Sequence, residues 1–277
     1  MSAWSLECAA MDVNARATSF GQVASEYDRW RPAYPAAAVD WLAPSAPARV
    51  ADVGAGTGKL TELLVARGLE VEAVEPDQRM LKVLGRNNPT AHLHQSDSSH
   101  IPVEDASLDA VLVADAWHWF DPDPTIKEIR RVLRPAGWLG LVWNVVAEPI
   151  EPWELAIADD SDEYNRNTKG SVAGLNQRLS YLSEDELDFN QVEWEWELTP
   201  DQRAAFMATT SMAIAMTPAD RTSAFERSRG ALQEVCAAQG RRAMPIRHVA
   251  SCVRWTPKPS EPGVHRTHRP GGFRPSA

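Results

Sequence analysis

One twelve-residue stretch, RVADVGAGTGKL at 49–60, constrains this chain more than any other. Val50, Ala51 and Val53 read as a short buried strand, and a helix starts from Thr57 onward. Between them Gly54, Gly56 and Gly58 fall at every second position. A glycine-rich turn from strand to helix brings bare backbone N–H groups close to a ligand and aims a helix N-terminus at it. The stretch therefore outlines a nucleotide-type cofactor site within an alternating α/β fold.

The rest of the chain supplies that alternation. Leu69 to Glu75 reads as a second strand, stopped by Pro76, and Asp77 to Leu84 as a short helix. Ala91 to Gln95 is a third strand. Leu108 to Ala114, LDAVLVA, is a nearly continuous apolar run, as a strand covered on both faces requires. A helix over Thr125 to Leu133 and a Pro135-Ala136-Gly137 turn lead into a fifth strand, Trp138 to Trp143. Strands alternating with helices from 49 to 143 predict a doubly wound, mostly parallel sheet. Upstream, Phe20 to Trp30 places Phe20, Val23, Ala24, Tyr27 and Trp30 on one helical face, and Pro32 and Pro35 end it before a segment over Ala36 to Leu42. Downstream, residues 148–188 are polar and acidic and read as a helical cap insertion. Val192 to Leu198 alternates apolar with acidic residues as a half-buried strand does. Helices fit Pro200 to Ala208 and Pro218 to Ala238, with Gly240 as a stop, and Ile246 to Val253 reads as a last strand. The expected organisation is an arm at 1–17, one domain over 18–255 and a disordered tail at 256–277, where Pro, Gly, His and Arg dominate.

Charge and cysteine content narrow the partners. A net charge of −10 with no basic stretch in the body argues against nucleic acid. No segment approaches a membrane span, and the N-terminus lacks the charged and apolar regions of a secretory signal. Cys8, Cys236 and Cys252 are too few and too far apart for a disulfide framework or a metal cluster, so a cytoplasmic location is expected. His92, His94 and His100 lack a Cys or Asp partner at ligand spacing, and no metal is expected. Dinucleotides and S-adenosylmethionine both use such a glycine turn. The dinucleotide pattern G-x-G-x-x-G/A, started at Gly54, puts Lys59 where a small residue belongs. Glu75, 21 residues beyond Gly54, suits the ribose of either cofactor.

Six stretches then agree jointly, in order and at their spacing, with one known family. They are FGQVASEYDRWRPAYP (20–35), VADVGAGTGKLT (50–61), VEAVEPDQRML (71–81), SDSSHIPVEDASLDAV (96–111), ADAWHWFD (114–121) and EIRRVLRPAGWLGLVW (128–143). The sequence resembles the class I S-adenosylmethionine-dependent methyltransferases of the type 11, ubiquinone-biosynthesis-like group, and within it the trans-aconitate methyltransferase-like branch. The resemblance implies a seven-stranded Rossmann-like sheet and S-adenosyl-L-methionine as cofactor. It implies that the backbone of Gly54, Ala55 and Gly56 approaches the methionine end, that Asp52 holds the ammonium group and that Glu75 takes the ribose. Met80 would pack near the adenine, Asp97 and the Ser98 N–H would bind it, and the Ala114 carbonyl would meet the ammonium. Family members often carry Ala-Glu at Ser98-Ser99, which leaves Ser99 without an implied role. Tyr27 and the segment 31–35 match a lid. Acids at three strand ends suit a cationic, hydroxyl-rich ligand better than a pyrophosphate.

Methyl transfer needs alignment first and a base only if the acceptor arrives protonated. His118, between Trp117 and Trp119 beyond the fourth strand, is the candidate base; the competing reading is that it hydrogen-bonds backbone or contacts the cofactor while the two tryptophans pack. Arg31 either binds an acceptor carboxylate, as the branch suggests, or pairs with Asp28 or a neighbouring acid, the commoner fate of an arginine. The aromatic and Met residues around the sheet, Tyr34 and Trp143 among them, suit an apolar small-molecule acceptor. Methylation is expected on oxygen ahead of nitrogen or carbon. A binding protein without turnover and an NAD-dependent oxidoreductase are the alternatives.

Overall fold

The computed structural model describes residues 18–149, 151–157, 172–182, 187–210, 213–214 and 216–258. The expected arm, the acidic run at 159–163, Met212 and residues 259–277 of the expected tail lie outside them.

A short 3-10 turn at Thr18–Val23 leads into α1 (Ala24–Trp30), followed by α2 (Ala36–Leu42), β1 (Arg49–Val53), α3 (Lys59–Val65), β2 (Glu70–Val74), α4 (Gln78–Asn87) and β3 (His92–His94). β4 (Leu108–Ala114), α5 (Pro122–Val132), β5 (Leu133–Val146), α6 (Pro152–Ile157), α7 (Val172–Leu179), β6 (Leu187–Leu198), α8 (Pro200–Met207), α9 (Pro218–Gln239) and β7 (Met244–Trp255) complete the order. The seven strands form one sheet in the order β3-β2-β1-β4-β5-β7-β6. β1 to β5 pair in parallel, and β7 runs antiparallel to both β5 and β6. The sheet is mostly parallel, and the strand order reverses between β1 and β4, where α/β sheets open a ligand crevice at the C-terminal strand ends.

Side-chain alternation fills both faces. Val50, Leu112, Val142, Ala250 and Cys252 pack with Val39 and Leu42 of α2 and with Leu60 and Leu64 of α3. Ala51, Val53, Val111, Val113, Leu141 and Val253 point the other way, onto Ile129 and Val132 of α5 and Leu175 and Leu179 of α7. Burying two such layers supplies most of the folding drive, at roughly 25 cal/mol per Å² of apolar area. Trp143, considered for the acceptor pocket, is 1% exposed and belongs to this second core.

Several boundaries differ from the sequence expectation. The first helix begins as a 3-10 turn and becomes α-helical only at Ala24. α5 starts at Pro122, a residue preorganised for the first helical position, and ends at Val132. β5 starts at Leu133, before the Pro135-Ala136-Gly137 run. That run forms an irregularity inside the strand, with Leu108 opposite Leu133 and Ala110 opposite Trp138. α9 follows its signals: Thr217 caps its start through the Asp220 N–H, and Gly240 ends it with φ +63°.

Candidate active site

The glycine turn crosses from the end of β1 to α3. Gly54 and Gly58 have φ of +70° and +91°, and neither has room for a side chain. A Cβ on Gly54 would lie 2.7 Å from the Ala116 Cβ, and one on Gly58 would lie 2.6 Å from Asn88 Nδ2 and 2.8 Å from Leu84 Cγ. The loop is thus pressed between α4 and the turn that follows β4. Lys59, in the slot the dinucleotide pattern needs small, reaches Asp28 of α1 at 3.3 Å.

Three acids border this loop. Asp52, at 1% exposure, accepts a 2.6 Å hydrogen bond from Thr61 Oγ1 on Oδ2, while its buried Oδ1 has no hydrogen-bond partner. Burial pushes its carboxyl up to about 7 despite the Thr61 bonds, and the Glu75 charge adds to the rise. Glu75 accepts from the Gly56 N–H on one oxygen and from the Asp77 N–H on the other, both at 2.9 Å. It is raised by burial and held back by those two N–H groups. The third acid was not singled out in the sequence. Asp115 follows β4 in a left-handed conformation, φ +51°. Its Oδ2 accepts from Tyr34 Oη at 3.1 Å and from the Asn144 N–H at 3.4 Å. Only its adjacency to Ala114 could have drawn notice.

The N-terminal segment covers the loop. Tyr27 is raised mainly by burial, with Arg31 opposing and Asp115 and Glu75 adding, so its hydroxyl lies within reach of both acids' fields. Tyr34 is raised well above its ordinary value by burial first and then by Asp115, Tyr27 and Asp52. Both phenols stay protonated donors. Arg31 does not pair with Asp28: it leaves α1 as an extended C-terminal cap, and Asp28 engages Lys59 and Asn87 instead. The Arg31 guanidinium donates to the Thr209 carbonyl at 2.8 Å and lies 5.0 Å from the Tyr27 ring centroid and 5.3 Å from that of Phe206. Its Nε is buried without a hydrogen-bond partner, and among the described residues no carboxylate pairs with it. Trp196 packs edge-on against Phe206 at 5.4 Å.

The other predicted positions are spread around this centre. Ala55 and Met80 are buried, Met80 in a cluster with Ala24 and Val83 against which Phe20 and Tyr27 pack. Asp97 is exposed, and its Oδ1 accepts from both the N–H and the hydroxyl of Ser99, which gives Ser99 a turn-forming contact. Ser98 is buried with its hydroxyl 2.7 Å from that of Thr125. Ala114 closes β4. His118 sits on a 3-10 turn at Trp117–Trp119, its ring centroid 4.6 Å from that of Trp119. Among the described residues no group of His, Cys, Asp and Glu is placed to hold a metal, and no helix is long and apolar enough to cross a membrane.

A left-handed glycine turn at a sheet's switch point, bordered by the buried Asp52 and Glu75 and the half-buried Asp115, suits a cationic nucleoside-type ligand. Residues 51–141 match the family model described as a methyltransferase domain. An uncharacterized methyltransferase of Mycobacterium tuberculosis is 41% identical over 242 residues, spanning 86% of this chain and 95% of that protein. An uncharacterized methyltransferase-like protein of Schizosaccharomyces pombe is 34% identical over 154 residues, 54% of this chain and 60% of its own length. A solved structure from Anaeromyxobacter dehalogenans, assigned as a type II methyltransferase, superposes with a TM-score of 0.59 at 25% identity over 81% of this chain and 96% of that one. The chain belongs to the class I S-adenosylmethionine-dependent methyltransferases. Its cofactor is S-adenosylmethionine, and the nicotinamide alternative falls.

The residues fit that cofactor. Asp52 Oδ1 is a buried acceptor that lacks a donor, and a cationic ammonium would supply one. The acidic groups beside the loop would suit its positive charge, and the side-chain-free Gly54 and Gly58 would allow close backbone approach.

Proposed function

We propose that the protein transfers the methyl group to an oxygen atom of a small acidic molecule. The observation that carries this reading is Arg31, a half-buried cation between two aromatic rings whose Nε lacks a hydrogen-bond partner. Such a guanidinium is a ready partner for a carboxylate, and the flanking rings of Tyr27 and Phe206 favour a planar or apolar body attached to it.

The residues that would hold the cofactor are those around the glycine turn. Asp52 takes the ammonium and the Ala114 carbonyl assists it. The backbone of Gly54, Ala55 and Gly56 lies along the methionine part, with Tyr27 above it. Glu75 keeps free lone pairs for the ribose while its two backbone bonds fix its orientation. Met80, Asp97 and Ser98 serve the adenine. When bound, the cofactor supplies an electrophilic methyl group on a positively charged sulfur. The protein's own work is then alignment and exclusion of water. The segment from Tyr27 to Tyr34 closes the site from solvent, and Arg31 fixes the acceptor. A carboxylate acceptor needs no base, and this leaves His118 a packing partner of Trp119.

The test is a panel of small carboxylic acids and neutral phenols offered with methyl-labelled cofactor to wild type and to Arg31→Ala. Acids should be methylated by the wild type, with KM raised at least tenfold in the variant. Methylation confined to neutral acceptors and indifferent to Arg31 rejects the reading.

A further inference from the structure

We propose that Asp115 is the residue through which the site recognises the sulfonium charge, holding S-adenosylmethionine in preference to S-adenosylhomocysteine. The inference rests on the cofactor alone and stands apart from the choice of acceptor.

Geometry places Asp115 beside the glycine turn. The close approach of Gly54 to Ala116 seats the turn after β4 directly against the loop. The Asp115 carboxylate accepts from Tyr34, and Tyr34 also lies in the field of Asp52. Tyr27 feels both Asp115 and Glu75. Carboxylates from the ends of β1, β2 and β4 therefore act on the same pair of tyrosines.

The charge count of the ligands explains the third acid. Both the methyl donor and its demethylated product carry one ammonium and one carboxylate. The donor alone carries a further positive charge, at sulfur. Asp52 answers the ammonium, and Glu75 is tied to the loop and the ribose position. A third carboxylate beside the glycine turn adds negative charge to the site, and a neutral thioether does nothing to offset it. A cation at that point does. The backbone at Asp115 supports the same conclusion. A left-handed φ is open to Gly and Asn as well as Asp, so the turn itself does not require a carboxylate. The Tyr34 hydroxyl donates to the carboxylate and orients it. Loss of the charge on methyl transfer then removes an attraction and speeds product release.

The experiment is titration calorimetry of the whole protein with S-adenosylmethionine, S-adenosylhomocysteine and sinefungin, whose amine carries a positive charge in place of the sulfonium. Wild type is compared with Asp115→Asn and Asp115→Gly, both of which accept the left-handed backbone. In both variants the affinity ratio of S-adenosylmethionine to S-adenosylhomocysteine should fall about five- to tenfold, the size expected for one partly shielded charge pair. Sinefungin should weaken with S-adenosylmethionine. A ratio preserved in both variants overturns the proposal, whether or not the two affinities fall together.

Discussion

Asp52 is pulled one way by the folded chain and would be pulled the other way by the ammonium group proposed to bind it. Its ordinary value is 3.8, and burial raises it to about 7 in the fold, so ionising it costs stability. The sign follows directly. The contribution is fully present below the unfolded value and is lost as pH rises from about 4 through about 7. Asp52→Asn should therefore raise the melting temperature of the ligand-free protein by a few degrees at pH 8, with little gain near pH 4, as thermal denaturation can check. A cation at Oδ1 requires the ionised form. Affinity for S-adenosylmethionine should weaken by up to about tenfold per pH unit below 7, with proton release visible in buffers of different ionisation enthalpy. Pre-ionised behaviour, with affinity flat from pH 6 to 8, would sink the assignment of the ammonium to Asp52. His118 provides a second residue-level test: if it only packs, His118→Gln keeps the pH–rate profile of the wild type. Legibility at this scale was uneven for a physical reason. Asp52, Glu75 and the glycines announce themselves by their position in a motif. Arg31 and Asp115 depend on where the backbone turns, since one leaves a helix as an extended cap and the other takes a left-handed φ.

Elements differ in how openly the sequence states them. β4 matches its expected limits because an unbroken apolar run admits one reading. β5 was expected to begin five residues later, because Pro135-Ala136-Gly137 reads as a turn when nothing shows that a neighbouring strand absorbs it. The place of β7 between β5 and β6 is a tertiary fact that local pattern does not encode. The N-terminal segment is the element with most bearing on function. Its helical face was readable, and its anchorage was not. It is fastened at four points: Gly21 against Asp77, Asp28 to Lys59 and Asn87, Arg31 to Thr209, and Tyr34 to Asp115. A side chain on Gly21 would overlap the Asp77 carboxylate and Arg79 Nε. Gly21→Val should lift residues 18–30 from α4. Faster amide exchange in that segment and about a tenfold loss of cofactor affinity should follow, while the melting transition of the sheet moves by less than roughly 1 kcal/mol. Exchange protection unchanged in residues 18–30 would show that the contact is not an anchor.

Across the whole molecule, two buried carboxylates on opposite faces of the sheet divide the work, one serving stability and the other the proposed binding. Asp52 lies on the face covered by α2 and α3. Glu72, on the neighbouring strand, pairs with Ala51 and so points to the opposite face. There its side chain, 1% exposed, takes Arg49 Nη2 at 2.7 Å and His94 Nε2 at 2.6 Å, which ties β1, β2 and β3 together. Burial raises the Glu72 carboxyl, but the bonds from His94 and Arg49 outweigh it and the net shift is downward from 4.5. The linkage is the reverse of that at Asp52. Stability is present above the ordinary value and is lost as pH falls through the lowered folded one. Glu72→Gln should cost about 1–3 kcal/mol at neutral pH, because it removes the charge from buried hydrogen bonds to Arg49 and His94. Its loss of stability on acidification should also be shallower than that of wild type, since the group that titrates is gone. Cofactor affinity should stay within about twofold of wild type, because sites with no shared partners behave independently. Denaturant unfolding at pH 4, 5 and 7, with calorimetric binding at pH 7, checks both halves. A loss of affinity as large as the loss of stability would mean that the sheet transmits strain between its faces and that the division does not hold.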